Sequence, residues 1–266
     1  MSDLLSVSYV LDDALAIVSL HREPVNSMNT AVWTALVSTL DQLEANPKVR
    51  GVMFQSTLKR NVFTAGNDLS ELYAPITSLS KYSNFWVVSN AFLARLYTSP
   101  LLTIAAVKGA CPAAGCCLSM CCDFRIMTQD ASMGLNEVAL GISVPGNWMQ
   151  VMIGIIGQGK TDKLCQYARW VGSDEALKIG FVDSVVPDAM ALESAAITLA
   201  KDIFKLPDPG RVSTKVALRG ELARAWGSRS ALEAEARRLW EYLTKEETIN
   251  SLKAVMTTLS KTKAKI

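Results

Sequence analysis

A chain of 266 residues, half of them hydrophobic and a fifth charged, is long enough to bury a large core and is predicted to form one domain, or one domain with a helical extension. Its formal net charge of +2 gives no electrostatic reason to expect nucleic acid or an anionic membrane as a partner. No stretch has the uninterrupted apolar length of a membrane-spanning helix, and the first residues match neither a signal peptide nor an arginine-rich transit segment.

The first half of the chain alternates short apolar runs with amphipathic helical patterns. Two strands open it, and the adjacent Asp12 and Asp13 between them are typical of a hairpin turn. The alternation of strand, helix and strand that follows favours a parallel sheet with right-handed crossovers. The predicted strands are 7–10, 15–20, 51–56, 101–107, 124–127 and 132–135, and the predicted helices are 29–46, 80–97 and 113–122.

From about residue 192 the pattern is helical throughout, with prolines and a glycine between the helices. We therefore predict an α/β core over residues 1–191 and a C-terminal helical subdomain over residues 192–266. Because an apolar helical tail of this kind often packs on a neighbouring subunit, a homo-oligomer is expected. The predicted C-terminal helices are 192–204, 209–226, 228–243 and 246–259.

Five of the six cysteines fall between residues 111 and 122, among alanine, leucine and methionine. Their spacing does not match zinc-binding patterns, and no histidine is near them in the sequence. We expect them to act as small buried hydrophobic residues of a protein in a reducing compartment, with a metal site as the weaker alternative. No metal and no cofactor is predicted.

Two runs rich in glycine and alanine, 63–69 and 109–115, are typical of tight turns in which backbone N–H groups approach a ligand closely. Two N–H groups that converge on one oxygen form an oxyanion hole. Glu137 closes a third run, 134–137, in an apolar stretch where a carboxylate is poorly solvated. Two such donors and one such carboxylate are sufficient to move a proton next to a carbonyl group.

These runs resemble those of the crotonase superfamily, and most of all its mitochondrial-type Δ3,Δ2-enoyl-CoA isomerases. The resemblance extends over nearly the whole chain. It implies a β/α spiral core, a C-terminal helical subdomain that mediates trimerisation, and assembly as a homotrimer or a dimer of trimers. It also implies an acyl-CoA substrate. The runs that carry the resemblance are 24–28, 63–69, 109–116, 122–125, 134–142 and 176–186.

In enzymes of this superfamily the thioester carbonyl lies between two backbone N–H groups, which here correspond to those of Asn67 and Ala114. The resemblance makes Glu137 the catalytic base, with Asn136 beside it to position the base or contact the substrate. Trp148 is expected either to line the acyl tunnel or to pack in the core. Asn67 stands where the isomerases tend to have an apolar residue, and Ala114 stands where glycine is common. The expected CoA-binding residues are Ala65, Gly66, Asp68 and Leu69.

The choice between isomerase and hydratase depends on a second acid. Hydratases of the superfamily use two glutamates, of which one matches Glu137 and the other falls at Cys117. The resemblance therefore favours a one-base isomerase of fatty acid β-oxidation, in which Glu137 moves a proton from C2 to C4 of a 3-enoyl-CoA. A hydratase, or another acyl-CoA enzyme of the superfamily, is the alternative. It needs a second acid, for which Asp68 and Glu71 are nearest in sequence.

Two functions of other classes compete with this interpretation. The run 154–161 fits the phosphate-binding P-loop pattern letter for letter, although a P-loop should follow a buried strand. A catalytically silent member of the superfamily that binds RNA is the non-enzyme alternative, and the near-neutral charge gives it little support.

The resemblance also favours the mitochondrial matrix as the location. The C-terminal Ala-Lys-Ile is loosely similar to the peroxisomal Ser-Lys-Leu signal, which leaves a peroxisome-like organelle as the alternative. Lys261, Lys263 and Lys265 either reach the CoA phosphates or stay solvated at the terminus.

Overall fold

A computed structural model of the chain describes residues 4–263, and the described side chains end at residue 258. The C-terminal Ala-Lys-Ile and the side chains of Lys261, Lys263 and Lys265 lie outside this description. None of the described helices combines the length and the apolar character needed to cross a bilayer.

The chain alternates strands and helices through its first two thirds and then continues as helices. The strands are β1 (Leu5–Val10), β2 (Leu15–Leu20), β3 (Gly51–Ser56), β4 (Leu102–Val107), β5 (Ala110–Pro112), β6 (Phe124–Thr128), β7 (Ser132–Gly134), β8 (Val171–Gly172) and β9 (Ser184–Val186). The helices are α1 (Thr30–Ala45), α2 (Leu69–Leu72), α3 (Leu79–Tyr97), α4 (Ala113–Cys121), α5 (Gly146–Ile156), α6 (Gln158–Gln166), α7 (Ser173–Lys178), α8 (Ala189–Ile203), α9 (Asp208–Gly227), α10 (Arg229–Leu243) and α11 (Glu246–Lys263). A short 3₁₀ helix, Glu137–Leu140, is called the Glu137 turn below.

A six-stranded sheet forms the centre, in the order β1-β2-β3-β4-β6-β9, and β5, β7 and β8 form a smaller sheet. β1 pairs antiparallel with β2, and each later pair of neighbours in the larger sheet is parallel. All residues of β2 and of β4 are buried, as expected for parallel strands covered on both faces. The α/β class and the parallel sheet predicted from the sequence are confirmed.

The long predicted elements are present with small shifts at their ends. The side chain of Asn29 accepts a hydrogen bond from Val32 N at 3.0 Å and begins α1, which ends just before Asn46 and Pro47. The sequence patterns did not predict β5, β8, β9, α2, α5, α6 and α7. All of these except α5 and α6 are two to six residues long, too short for a hydrophobic period to be read.

The C-terminal helices pack on the core in two places. α8 covers one face of the large sheet against β4 and β6, whereas α9 and α10 pack on α3. The ammonium of Lys215, on α9, donates to Ser99 O at 2.9 Å, Leu101 O at 2.8 Å and the Asp123 carboxylate at 2.6 Å. This buried cation ties α9 to the segments that directly precede β4 and β6. The proposed division after residue 191 falls in the first turn of α8 and stays a prediction.

Candidate active site

A cavity of about 750 Å³ opens between the loops that follow β2 and β3, the start of α4, the Glu137 turn and the C-terminal helices. Polar groups concentrate on the loop side, and aromatic and aliphatic side chains form the other walls. Seven of the nine predicted site residues line the cavity: Ala65, Asn67, Asp68, Leu69, Asn136, Glu137 and Trp148. Gly66 and Ala114 are buried and are not among the residues that line it.

Glu137 is the buried carboxylate of this cavity. Its side chain lies at the start of the Glu137 turn and is 8 % exposed. Neither carboxylate oxygen has a hydrogen-bond partner in the described part of the chain. Burial raises the pKa of Glu137 to about 7, and the nearby N–H of the same residue offsets only part of this rise. A carboxyl group with such a pKa can both accept and release a proton near neutral pH.

The N–H of Asn67 points away from the neighbouring chain segment. Met28 N donates to Gly66 O at 2.8 Å and Asp68 N donates to Met28 O at 3.1 Å, which makes a parallel bridge between Met28 and Asn67. Because alternate residues face opposite sides of such a bridge, the Asn67 N–H lies on the side away from Met28. Among the described residues it has no backbone acceptor.

The N–H of Ala114 lies in the first turn of α4, where helix geometry leaves amide groups without intrahelical acceptors. A Cβ placed on Gly66 would be 3.5 Å from Ala114 N and 3.1 Å from Pro112 O, so these two predicted donor segments pack directly on each other. The preceding Ala113 has a φ of +51°, a left-handed conformation that costs an alanine about 1 kcal/mol. The start of α4 also places the positive end of its dipole beside the cavity.

The Asn67 side chain is anchored to the protein on one side. Trp33 Nε1 donates to Asn67 Oδ1 at 3.2 Å, and this bond fixes the amide plane against α1. A polar residue is therefore tolerated where the isomerases tend to have an apolar one, since its carbonyl oxygen has a partner. Asn136 lines the cavity beside Glu137 but donates no hydrogen bond to its carboxylate, and a contact between Asn136 and the substrate stays a prediction.

The two acids that the sequence offered as a second catalytic carboxylate act as helix caps. Asp68 begins α2, accepts from Ser70 N at 3.1 Å, and pairs with Arg22 at 2.9 Å. Burial alone would raise the pKa of Asp68, but the Ser70 hydrogen bonds and the Arg22 charge together lower it. Glu71 accepts from the backbone N–H of Thr30 at 2.7 Å, at the start of α1, and is not among the residues that line the cavity.

An aromatic wall closes one side of the cavity. Trp148 stacks on Trp86 with ring centroids 5.9 Å apart, and the ring centroids of Tyr82 and Trp86 are also 5.9 Å apart. The indole N–H of Trp148 donates to Asn90 Oδ1 at 2.8 Å, and only 2 % of the residue is exposed. Trp148 therefore packs in the core and lines the cavity as well, and its place along an acyl tunnel stays a prediction.

The clustered cysteines are buried, and no disulfide joins any of the six. Burial raises the pKa of Cys116 and of Cys117, and the nearby Glu137 carboxylate adds to the rise, so both thiols stay neutral. Cys117 therefore places a neutral thiol, with no negative charge, where a hydratase would need a carboxylate. In the described part of the chain, no group of three or more histidine, cysteine, aspartate or glutamate residues is arranged to hold a metal ion.

The P-loop interpretation of residues 154–161 is wrong. A P-loop follows a buried strand, whereas this run begins inside α5 and continues into α6, with Gly157 between the two helices at a φ of +79°. The glycine ends one helix and starts the next, and no open phosphate-binding loop is formed.

Sequence reasoning missed several residues that line the cavity. Arg22 and Arg60 bring positive charge to its loop side, and Ser27 lies beside Arg22. Leu239 and Leu243 of α10 line the cavity, as do Val255 and Met256 of α11. The aliphatic residues gave no usable signal, because an apolar helix face looks the same whether it packs on core or on cavity.

Comparisons with known proteins agree with this geometry. A family model described as enoyl-CoA hydratase/isomerase matches residues 11–263. The mouse protein named Enoyl-CoA delta isomerase 1, mitochondrial, is 32% identical over 240 residues, which cover 90% of this chain and 81% of the relative. A probable enoyl-CoA hydratase from Bacillus subtilis is 28% identical over 256 residues, which cover 94% of this chain and 95% of the relative.

Solved structures give the same result for the fold. The crystal structure of human mitochondrial delta3-delta2-enoyl-CoA isomerase matches with a TM-score of 0.90 at 30% identity, covering 97% of this chain and 99% of that chain. The crystal structure of an enoyl-CoA hydratase from Bacillus halodurans matches with a TM-score of 0.84 at 22% identity, covering 95% of this chain and 100% of that chain. The fold expected from the resemblance is confirmed.

Proposed function

Because the chain belongs to the enoyl-CoA hydratase/isomerase family, also called the crotonase superfamily, we propose that it is a Δ3,Δ2-enoyl-CoA isomerase. It converts 3-enoyl-CoA to trans-2-enoyl-CoA in the β-oxidation of unsaturated fatty acids and needs no cofactor beyond its acyl-CoA substrate. The observation that carries the proposal is the single buried carboxylate, Glu137, among the described residues that line the cavity.

In the proposed reaction, the Glu137 carboxylate removes a proton from C2 of the substrate, and the electron pair of the C2–H bond forms a C1=C2 double bond while the C3=C4 bond is kept. The intermediate is a dienolate whose negative charge lies largely on the thioester oxygen. The N–H groups of Asn67 and Ala114 donate to that oxygen and stabilise the charge as it develops. The protonated Glu137 then gives its proton to C4, the double bond moves to C2=C3, and the thioester carbonyl and the Glu137 carboxylate are restored. CoA binds along Ala65, Gly66, Asp68 and Leu69.

The environment of Glu137 suits a single group with both tasks. With a pKa of about 7 the carboxylate is a stronger base than a solvated glutamate and its protonated form is still a competent acid. Hydration would need a second group that orients water. Cys117 stands where hydratases have that glutamate, its thiol is neutral, and Asp68 is already engaged with Arg22 and Ser70.

Replacement of Glu137 by glutamine tests the proposal. The change keeps the shape of the side chain and removes the base, so kcat for isomerisation should fall about 10²-fold or more. Binding of a saturated acyl-CoA should be retained, which shows that the cavity is intact. Glu71→Gln is the matched control, since it makes the same chemical change at a carboxylate outside the cavity lining and should leave kcat near the wild-type value. Activity near wild type in Glu137→Gln would reject the one-base scheme.

A hydratase, or another acyl-CoA enzyme of the family, is the second candidate, because a Bacillus subtilis relative carries a hydratase name over nearly the full length of the chain. Loss of hydration in Glu71→Gln or Asp68→Asn would favour that candidate.

The proposal also includes assembly and location. We propose a homotrimer or a dimer of trimers, which sedimentation velocity at micromolar protein tests directly. We propose the mitochondrial matrix, supported by the mitochondrial names of the mouse and human relatives, with a peroxisome-like organelle as the alternative. Localisation of the tagged full-length protein distinguishes the two.

A further inference from the structure

The orientation of the Glu137 side chain depends on the backbone that carries it. Both carboxylate oxygens are buried and neither has a hydrogen-bond partner among the described residues, so no neighbouring side chain holds them in place. A reacting group that is misplaced by about 1 Å loses on the order of 10²-fold in rate. Whatever fixes the Glu137 turn therefore fixes the base.

The Glu137 turn is closed by Gly141. The N–H of Gly141 donates to Val138 O at 3.0 Å, and the N–H of Ile142 donates to Glu137 O at 3.1 Å. Gly141 has a φ of +72°, the left-handed conformation that ends such a turn. The position of its peptide groups therefore decides how the whole turn, and Glu137 at its start, faces the cavity.

One side chain from the C-terminal helix holds this closing residue. Thr248, on α11, is 1 % exposed, and its hydroxyl donates to Gly141 O at 3.2 Å. Thr248 also packs directly against Gly141, because a Cβ on Gly141 would lie 3.2 Å from Thr248 Oγ1 and 3.8 Å from Thr248 Cα. α11 thus meets the Glu137 turn about 110 residues further along the chain, through a specific hydrogen bond as well as packing.

The packing of α11 against the rest of the protein does not depend on this hydroxyl alone. Leu252, one turn further on, is fully buried in the core, and Val255 and Met256 of the same helix line the cavity. These residues follow Thr248 at helical spacing on one face. Removal of the Thr248 hydroxyl should therefore leave α11 packed on the core and remove only the hydrogen bond that holds the Glu137 turn.

We infer that Thr248 is a positioning residue for the reaction, and that its hydrogen bond to Gly141 O holds the Glu137 turn in the orientation in which the carboxylate reaches the substrate. The inference rests on the proposed function, because it assumes that Glu137 is the base. Thr248 itself does not touch the substrate.

Thr248→Val and Thr248→Ser test this role on the full-length protein. Valine keeps the volume and removes the hydroxyl, so kcat for 3-enoyl-CoA isomerisation should fall about tenfold or more, while KM and the Kd of a saturated acyl-CoA change less than about twofold. Serine keeps the hydroxyl and should retain kcat within about threefold of wild type. If Thr248→Val does not fold, Thr248→Ala against Thr248→Ser gives the same comparison, since both shorten the side chain and only serine can donate.

Wild-type kcat in Thr248→Val would overturn the inference, and so would an equal loss in the serine variant, which would assign the effect to packing. Glu137→Gln measured beside them separates the two proposals. If Glu137→Gln stays active, the proposed function fails. If it is inactive and Thr248→Val is fully active, only the role of Thr248 fails.

Discussion

Glu137→Gln should stabilise the folded protein above neutral pH while it removes the activity. The wild-type carboxylate is buried without a hydrogen-bond partner in the described residues, so the folded state is unfavourable for its charged form. Glutamine has nearly the same shape and carries no charge. The stability gained by the variant should therefore depend on pH, in a direction that the pKa of Glu137 determines.

Burial raises the pKa of Glu137 from its ordinary value of 4.5 to about 7. A raised folded-state pKa contributes stability that is fully present below about pH 4.5 and is lost as the pH rises through about 7. The size of this loss is on the order of 3 kcal/mol, at about 1.4 kcal/mol for each tenfold change in proton affinity. The free energy of unfolding of Glu137→Gln, measured relative to wild type, should therefore rise by most of that amount when the pH is raised from 5 to 8.

Urea unfolding of both proteins at pH 5 and pH 8 measures the effect. Asp68→Asn serves as a control in which the change in stability should have the opposite sign. Hydrogen bonds from Ser70 and the Arg22 charge lower the pKa of Asp68 in spite of its burial. A lowered carboxyl pKa contributes stability above its unfolded value, so this variant should be less stable than wild type at pH 8. A stability difference between Glu137→Gln and wild type that is equal at the two pH values would refute the reasoning.

Three further predictions concern the pH dependence of the reaction, the Asp123–Lys215 ion pair and the close packing of Gly66. kcat/KM for isomerisation at pH 6 should be about a tenth of its plateau value, because a base with a pKa of about 7 is mostly protonated there. Asp123→Ala should lower the free energy of unfolding by about 3–5 kcal/mol in urea titration, since it leaves the buried Lys215 ammonium without its carboxylate. Gly66→Ala should reduce kcat about 10²-fold in the isomerisation assay, because the new Cβ would lie 3.2 Å from that of Ala113 and displace a predicted oxyanion donor.

Residues whose role depends on local chain geometry were predictable from the sequence. The run 63–69 and the apolar setting of Glu137 indicated the residues of one site, and the structure brings Asn67, Asn136 and Glu137 to the lining of one cavity. Long elements such as α1 and β4 were predictable because their periods and end signals are local.

Residues whose role depends on distant contacts were not predictable in the same way. Thr248 and Val255 are ordinary members of an amphipathic helix until α11 is placed against the Glu137 turn and the cavity. Asp68 and Glu71 looked like free acids near the site, but both cap helices, and only the folded chain shows the Arg22 and Thr30 partners that occupy them. A sequence pattern identifies an acid, whereas its neighbours decide whether it is available for chemistry.

The measurement that tests the central claim most directly is an isomerisation assay with 3-enoyl-CoA run beside a hydration assay with trans-2-enoyl-CoA on the same preparation. With Glu137 as the single base, isomerisation should proceed at least about a hundredfold faster than hydration, since Glu137 is the one buried carboxylate among the described residues that line the cavity. Hydration at a rate comparable to isomerisation would contradict the account, because it would require a second group acting with Glu137 in this cavity.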